Sequence, residues 1–202
     1  MPLWLDEQPL VLASGSAVRR TLLEAAGIPV EVCPTSIDER AIEARANLSS
    51  AVDVAALLAR EKALAGSAGR AGRLVLGADQ TLALDARRFS KPAGRHVARA
   101  QLSALRGRTH ELHSAIAVVR NREILFEHIA SARLTMRDFT DQFLDDYLDK
   151  IGPAAAASVG GYQLESAGVQ LFDKIEGDHS TILGLPLLPF LAWLRRQGSL
   201  RT

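Results

Sequence analysis

Apolar positions in this chain fall into short unbroken runs and helical stripes, and their order predicts a mixed α/β protein. Leu10–Ala13 is a continuous apolar run that reads as a buried strand. It leads into Ser14-Gly15-Ser16, where Ser16 is suited to cap a helix over Ala17–Ala26. Gly27 stands at the C′ position of that helix, and Ile28–Val32 follows as a second strand. Strand, small-residue turn, helix and strand form a βαβ unit. Ser50 and Asp53 have the spacing of a capping box, with Asp in place of Glu or Gln. The helix they open carries Val54, Leu58 and Lys62 at successive i,i+4 steps.

Leu74–Leu76 reads as a short strand ending at Gly77-Ala78-Asp79. A hairpin of Thr81–Leu84 and Phe89–Lys91 comes next, turning through Asp85–Arg88. Val97–Leu105 is an amphipathic helix closed by Gly107, and Thr109–Val119 and Glu123–Leu134 are strands joined at Asn121-Arg122. Thr140 caps a helix with Phe143, Leu144, Tyr147, Leu148 and Ile151 along one side, stopped by Gly152. After Gly160-Gly161, Val169–Ile175 reads as a strand, and a last helix begins near Pro186. No repeat or linker divides the chain, so a single domain over 1–202 is expected.

Composition narrows the class. Of 202 residues, 24 are Lys or Arg and 23 are Asp or Glu, a formal charge of +1. A chain so nearly neutral lacks the basic excess of a protein that binds a nucleic-acid polymer. Cys33 is the single cysteine, so no intrachain disulfide and no thiolate metal cluster can form. The first eight residues do not have the basic and apolar layout of a signal peptide. The apolar run Ile182–Leu194 is too short for a bilayer and is broken by Gly184, Pro186 and Pro189. These features predict a cytoplasmic protein with no membrane partner.

Three segments carry candidate chemistry. Ser14-Gly15-Ser16 at a helix start offers hydroxyls, free amides and the positive end of the helix dipole to an anion. Arg19 and Arg20 add charge in the first turn, where they oppose the dipole unless an anion is present. The same turn also reads as an ordinary capped helix with two solvated arginines. Asp79, directly after an apolar strand, can hold a divalent cation or act as general base toward water; a turn-forming Asp is the plainer reading. Lys62 lies in line with buried positions, and Lys91 follows the hairpin at Ser90-Lys91-Pro92. Each suits an anion, but a snorkelling Lys62 and a simply exposed Lys91 are the plainer readings of each taken alone. His110-Glu111-Leu112-His113 is one residue short of a zinc-protease motif and sits on a strand, where residues three apart face opposite ways. Asp178-His179-Ser180 has the residue types of a triad but not its geometry. No Walker-type loop and no GxGxxG occurs.

In order along the chain, several segments resemble the Maf family of nucleoside triphosphate pyrophosphatases. They are Leu12-Ala13-Ser14-Gly15-Ser16 with Arg19-Arg20 and Leu22-Leu23, Ile37-Asp38-Glu39, Lys62-Ala63, Gly77-Ala78-Asp79 and Lys91-Pro92. Leu105-Arg106-Gly107-Arg108-Thr109-His110, Gly161-Tyr162, Ile175-Glu176-Gly177-Asp178 and Gly184-Leu185-Pro186-Leu187 complete the match. The resemblance implies a long curved mixed sheet with flanking helices, in two lobes around a nucleotide cleft. It implies hydrolysis between the α and β phosphates with a divalent cation, Mg²⁺ or Mn²⁺. By the same resemblance Asp79 is the proton acceptor, and Glu39 stands with it near metal and water. Lys62 and Lys91 contact the triphosphate, and Ser14, Ser16, Arg19 and Arg20 form the phosphate-binding turn. A homodimer is compatible with it.

Val18, Gln80 and Glu165 occupy positions that vary between branches of the family. Gln80 after Asp79, and Glu165 in Gly161-Tyr162-Gln163-Leu164-Glu165, resemble the branch acting on 7-methyl-GTP rather than the one acting on dTTP and UTP. Val18 departs from it, since an aromatic often stands there. A carboxylate at Glu165 suits the N1–H and N2 donors of guanine. Two rival readings remain: a nucleotide-binding regulator of septum formation with little catalysis, and an enzyme acting on another phosphate ester.

Overall fold

Ser16, Ser50 and Thr140 each accept a hydrogen bond from the backbone amide three residues on, and each opens a helix as the sequence predicts. The structure, a computed structural model, describes residues 2–202. It begins with β1 (Leu10–Leu12), α1 (Ala17–Ala25), β2 (Val30–Val32), α2 (Glu39–Ala46) and α3 (Ala51–Gly66). β3 (Val75–Leu84), β4 (Arg87–Phe89), α4 (Arg95–Leu105), β5 (Thr109–Arg120) and β6 (Glu123–Met136) follow. The chain ends with α5 (Asp141–Ile151), 3-10 turns between Gly152 and Leu171, β7 (Phe172–Glu176), α6 (His179–Ile182) and α7 (Leu187–Gln197).

The strands form one mixed sheet in the order β2-β1-β3-β5-β6-β7, with β4 paired to β3. β1 runs parallel to β2 and β3, and the other pairs are antiparallel. β3 has sheet neighbours on both edges. Its β5 edge is paired without interruption from Val75 to Ala83. Its other edge is divided: β1 pairs with Val75 and Leu76, and β4 pairs with Leu82 to Leu84. Between them, residues 77–81 have no neighbouring strand on that side. Asp79 is in the middle of this gap.

Two main cores lie on either side of it. One gathers β1, α1 and α7 around Leu10, Leu12, Leu23, Phe190 and Trp193. The other gathers α4, α5 and the far ends of β3, β5 and β6 around Leu82, Leu102, Leu134, Leu144 and Tyr147. The two expected lobes are these two cores, sharing one sheet.

Several sequence expectations need correction. The strand over Leu74–Leu76 does not end at Gly77-Ala78-Asp79, because β3 continues through these residues to Leu84. The glycine is there for closeness rather than for turning: a Cβ on Gly77 would stand 2.1 Å from the Ala59 carbonyl oxygen of α3. The hairpin turn is tighter than expected. Leu84 pairs with Arg87, because Asp85 takes a positive φ that permits a two-residue turn. The expected strand Val169–Ile175 begins only at Phe172, after a 3-10 turn over Ala167–Leu171. A Cβ on Gly168 in that turn would stand 2.3 Å from the Gln163 carbonyl oxygen. α2 is an element beyond those the pattern predicts; Asp38 caps it by accepting from the Ala41 amide. Asn121 and Arg122 do form the expected turn, both with positive φ.

Candidate active site

Three elements converge on the gap in β3. Asp79 faces α3 and is 8% exposed. Lys62, in the fourth turn of α3, donates from Nζ to Asp79 Oδ1 at 2.6 Å. Its contact with Glu39 Oε1 is 2.7 Å. Glu39 is the first residue of α2, so the Asp38 cap sets its position. Two carboxylates from separate elements thus share one ammonium, Asp79 from the buried side and Glu39 from the solvent side.

Burial pushes the Asp79 carboxyl above the usual aspartate value, and the Lys62 ammonium and Arg19 guanidinium only partly offset this. Such a carboxylate is a better proton acceptor than a solvated one. Lys62 donates to Oδ1, and Oδ2 accepts no hydrogen bond among the described residues.

The Ser14-Gly15-Ser16 turn closes the opposite side. Ser14 Oγ accepts from the Ser16 amide at 3.3 Å, and Ser16 Oγ accepts from the Arg19 amide at 3.4 Å. Arg19 is held by the protein rather than by solvent. Its Nε donates to the Gly184 carbonyl at 2.8 Å, and its Nη1 donates to Ser14 Oγ at 3.0 Å and to the Ala78 carbonyl at 2.9 Å. The last contact engages backbone on the bare stretch of β3, one residue from Asp79. Burial lowers the Arg19 pKa from its ordinary value, while Asp79 and Glu39 favour the charged form. A first-turn arginine that opposes the helix dipole is therefore explained by three protein oxygens, without requiring an anion. Arg20 is exposed and pairs with Glu24 one turn on, at 2.7 Å.

The remaining sequence candidates separate from this group. Lys91 is exposed beyond β4 and has no ion pair among the described residues. Gln80 points to the sheet face opposite Asp79, where it donates to Ser114 Oγ and to the carbonyls of Thr181 and Ile182. Val18 is half-buried on α1. Glu165 is exposed between the 3-10 turns and forms no ion pair among the described residues. The two motif look-alikes are structural. His110 bonds Tyr162 Oη at 2.7 Å, and His113 bonds Ser131 Oγ across β5 and β6 at 2.7 Å. Asp178 caps α6 through the Thr181 amide.

Sequence reasoning missed the acceptors that hold Arg19. Two of them, Ala78 and Gly184, act through backbone carbonyls, which no residue type advertises. Gly184 has a positive φ, and a Cβ there would stand 3.2 Å from the guanidinium, so the glycine itself was the available signal.

The family model for Maf-like proteins matches residues 9–197. This chain belongs to the Maf-like family. A nucleoside triphosphate pyrophosphatase of Rhodopseudomonas palustris strain BisB5 is 60% identical over 197 residues, covering 98% of each chain. A 7-methyl-GTP pyrophosphatase of Mesorhizobium japonicum is 49% identical over 195 residues, covering 96% of this chain and 98% of that one. The solved structure of a HAM1 protein from Coxiella burnetii gives a TM-score of 0.42 at 19% identity, over 63% of this chain and 72% of that one. A likeness that distant adds nothing to the family assignment. The matched region contains Ser14, Arg19, Glu39, Lys62 and Asp79. No helix of the described residues is long and apolar enough to cross a membrane.

Proposed function

We propose that this Maf-like chain hydrolyses a nucleoside triphosphate between its α and β phosphates, releasing the monophosphate and pyrophosphate. The observation that carries the reading is Asp79, a buried carboxylate with a raised pKa in the unpaired stretch of β3, with a lysine and an arginine beside it. Its Oδ2 accepts the proton of the attacking water. Lys62 keeps the carboxylate oriented, and in the complex it can share its protons with phosphate oxygens. The amides of Ala17 and Val18 at the start of α1 have no acceptor among the described hydrogen bonds and are placed to receive phosphate. Arg20 and Lys91, both exposed, would close on the substrate from outside.

A divalent cation fits the donor set. Asp79 and Glu39 are hard oxygen ligands gathered around a single positive centre, and Mg²⁺ commonly takes one or two carboxylates plus substrate phosphates and water. No group of three or more His, Cys, Asp or Glu is gathered among the described residues, so the phosphates would complete the shell. The cation would neutralise charge that develops on the phosphates.

For the base, the reading is guanine, with 7-methylguanine favoured. A relative named for 7-methyl-GTP supports it, as does the unpaired carboxylate of Glu165, which can only accept hydrogen bonds. Pyrophosphate release from a panel of nucleoside triphosphates, methylated bases included, with Mg²⁺ or Mn²⁺, tests both parts. No release from any of them would favour a nucleotide-binding regulator instead.

A further inference from the structure

Glu39 reaches the site from a lightly anchored helix. α2 buries none of its 8 residues, and only Ile42 and Glu43 are half-buried. A helix that short does not hold together by itself in water, so contacts from elsewhere keep it in place. Among the described residues its side chains make two ion pairs with the rest of the chain. One joins Glu39 to Lys62 at 2.7 Å. In the other, Glu43 Oε2 accepts from Arg88 Nη2 at 2.7 Å, with 29% of the Glu43 side chain and 32% of the Arg88 side chain exposed.

Helix and strand periodicity bring the two pairs to one side of the sheet. Glu39 and Glu43 are one turn apart, so they share a face of α2. Arg88 stands opposite Ala83 in the β3–β4 hairpin, and Ala83 is an even number of residues from Asp79. Alternation therefore directs Arg88 to the same face of the sheet as Asp79. α2 is tied first to the Asp79–Lys62 pair and, one turn later, to β4. Substrate would act on these two ties differently. Lys62 is the group that would share its protons with phosphate oxygens, and Glu39 the one that would face cation and water. Their pair is then remade in the complex. Arg88 and Glu43 stand outside that exchange, since neither bonds Asp79, Lys62 or Arg19.

We infer that Arg88 and Glu43 are positioning residues: their ion pair keeps α2, and with it Glu39, against the site while Lys62 turns to the phosphates. The inference rests on the proposed pyrophosphatase reading and deepens it. One consequence separates this role from that of a merely structural ion pair. Loss of Arg88 slows the reaction only while Glu39 keeps its carboxylate.

The test uses Arg88→Leu, Glu43→Gln, Glu39→Gln, the double variant Glu39→Gln with Arg88→Leu, and the charge swap Glu43→Arg with Arg88→Glu, all in the full chain. Pyrophosphate release from GTP, 7-methyl-GTP and UTP with Mg²⁺ is measured beside amide hydrogen exchange. For Arg88→Leu and Glu43→Gln, we expect exchange of the helical amides of residues 42–47 to quicken about 5-fold, in keeping with the loss of one partly exposed ion pair. The melting temperature should not move, because α2 buries no side chain. We expect kcat to fall about 5-fold as well, and KM to change less. The charge swap should restore both exchange and kcat. In the Glu39→Gln background, Arg88→Leu should lower kcat no further. An equal loss in both backgrounds would show that Arg88 does not act through Glu39, and the inference falls. It falls too if exchange over 42–47 is unchanged in Arg88→Leu, or if exchange quickens while kcat stays at the wild-type value. Should Arg88→Leu fail to fold, Glu43→Gln alone and with Glu39→Gln answers the same questions. If Glu39→Gln is too slow to measure, the charge swap decides, and failure to restore kcat overturns the role. Wild type that releases no pyrophosphate from any of the three nucleotides would remove the reaction itself, whereas an active wild type with any of the contrary results removes the positioning role alone.

Discussion

Gly77 of β3 lies so close to α3 that a Cβ on it would stand 2.1 Å from the carbonyl oxygen of Ala59 and 2.5 Å from the amide nitrogen of Ala63. This contact brings the helix backbone down onto the strand two residues before Asp79. It is why Lys62 Nζ, on the adjoining position of α3, reaches Oδ1. Gly77→Ala would force the two backbones apart. Overpacking of this kind costs about 1–3 kcal/mol or more. We expect a lower unfolding midpoint and lost turnover even in the fraction that stays folded. Circular dichroism melting and pyrophosphate release would check it; an active variant with wild-type stability would contradict this geometry.

Asp79→Asn keeps the volume of the side chain but removes the proposed base and one charge of the carboxylate pair. Turnover should fall by about 100-fold or more, as expected for loss of a general base, with nucleotide binding retained. Titration calorimetry with a non-hydrolysable triphosphate separates the two effects. Turnover within a few-fold of wild type would move the base elsewhere, with Glu39 next in line.

The acid limb of kcat/KM should report Asp79. Its pKa is raised by burial, so activity should begin to fall, on acidification, at a higher pH than the usual aspartate value of about 3.9. Lys62 lowers that pKa, so Lys62→Met should move the limb further upward as well as reduce the rate. A limb that stays in place would show that the two groups are not coupled. Lys62→Met and Lys91→Ala should both weaken triphosphate binding more than monophosphate binding.

His110 gives a stability signature independent of turnover. It is buried against Tyr162 and Phe172, and burial lowers its pKa to about 4. The unfolded chain, with an ordinary histidine near 6.5, binds the proton over the window where the folded chain does not. Stability from this group is complete above pH 6.5 and declines as pH falls toward 4, by at most about 3 kcal/mol. His110→Gln can still bond the Tyr162 hydroxyl but cannot titrate. Its urea unfolding free energy should depend less on pH between 4 and 6.5 than that of wild type.

Glu165→Gln tests the base. An amide both donates and accepts, so the gap between guanine and pyrimidine nucleotides should narrow, by roughly 5- to 150-fold if one buried polar mismatch sets it. If wild type prefers UTP or dTTP to every guanine nucleotide, Glu165 does not select the base.

Much of this protein is written locally. Helix starts at Ser16, Ser50 and Thr140 need only a side-chain oxygen three residues ahead of an amide, and the Asn121-Arg122 turn needs only two residues that tolerate positive φ. The ordered motifs around Ser14, Glu39, Lys62 and Asp79 were enough to name the family. Tertiary structure alone decided how they meet. A glycine before an aspartate reads as a turn along the chain, and only the approach of α3 shows that Gly77 is a contact point inside a long strand. Side-chain alternation along β3 separates Asp79 from Gln80, adjacent in sequence, onto opposite faces, one against Lys62 and one against the carbonyls of α6. Arg19 looked like a cation waiting for an anion because its partners are a distant loop carbonyl and a strand carbonyl. Backbone oxygens carry no sequence identity, and 165 residues separate Arg19 from Gly184, so only the folded chain could bring that pair together.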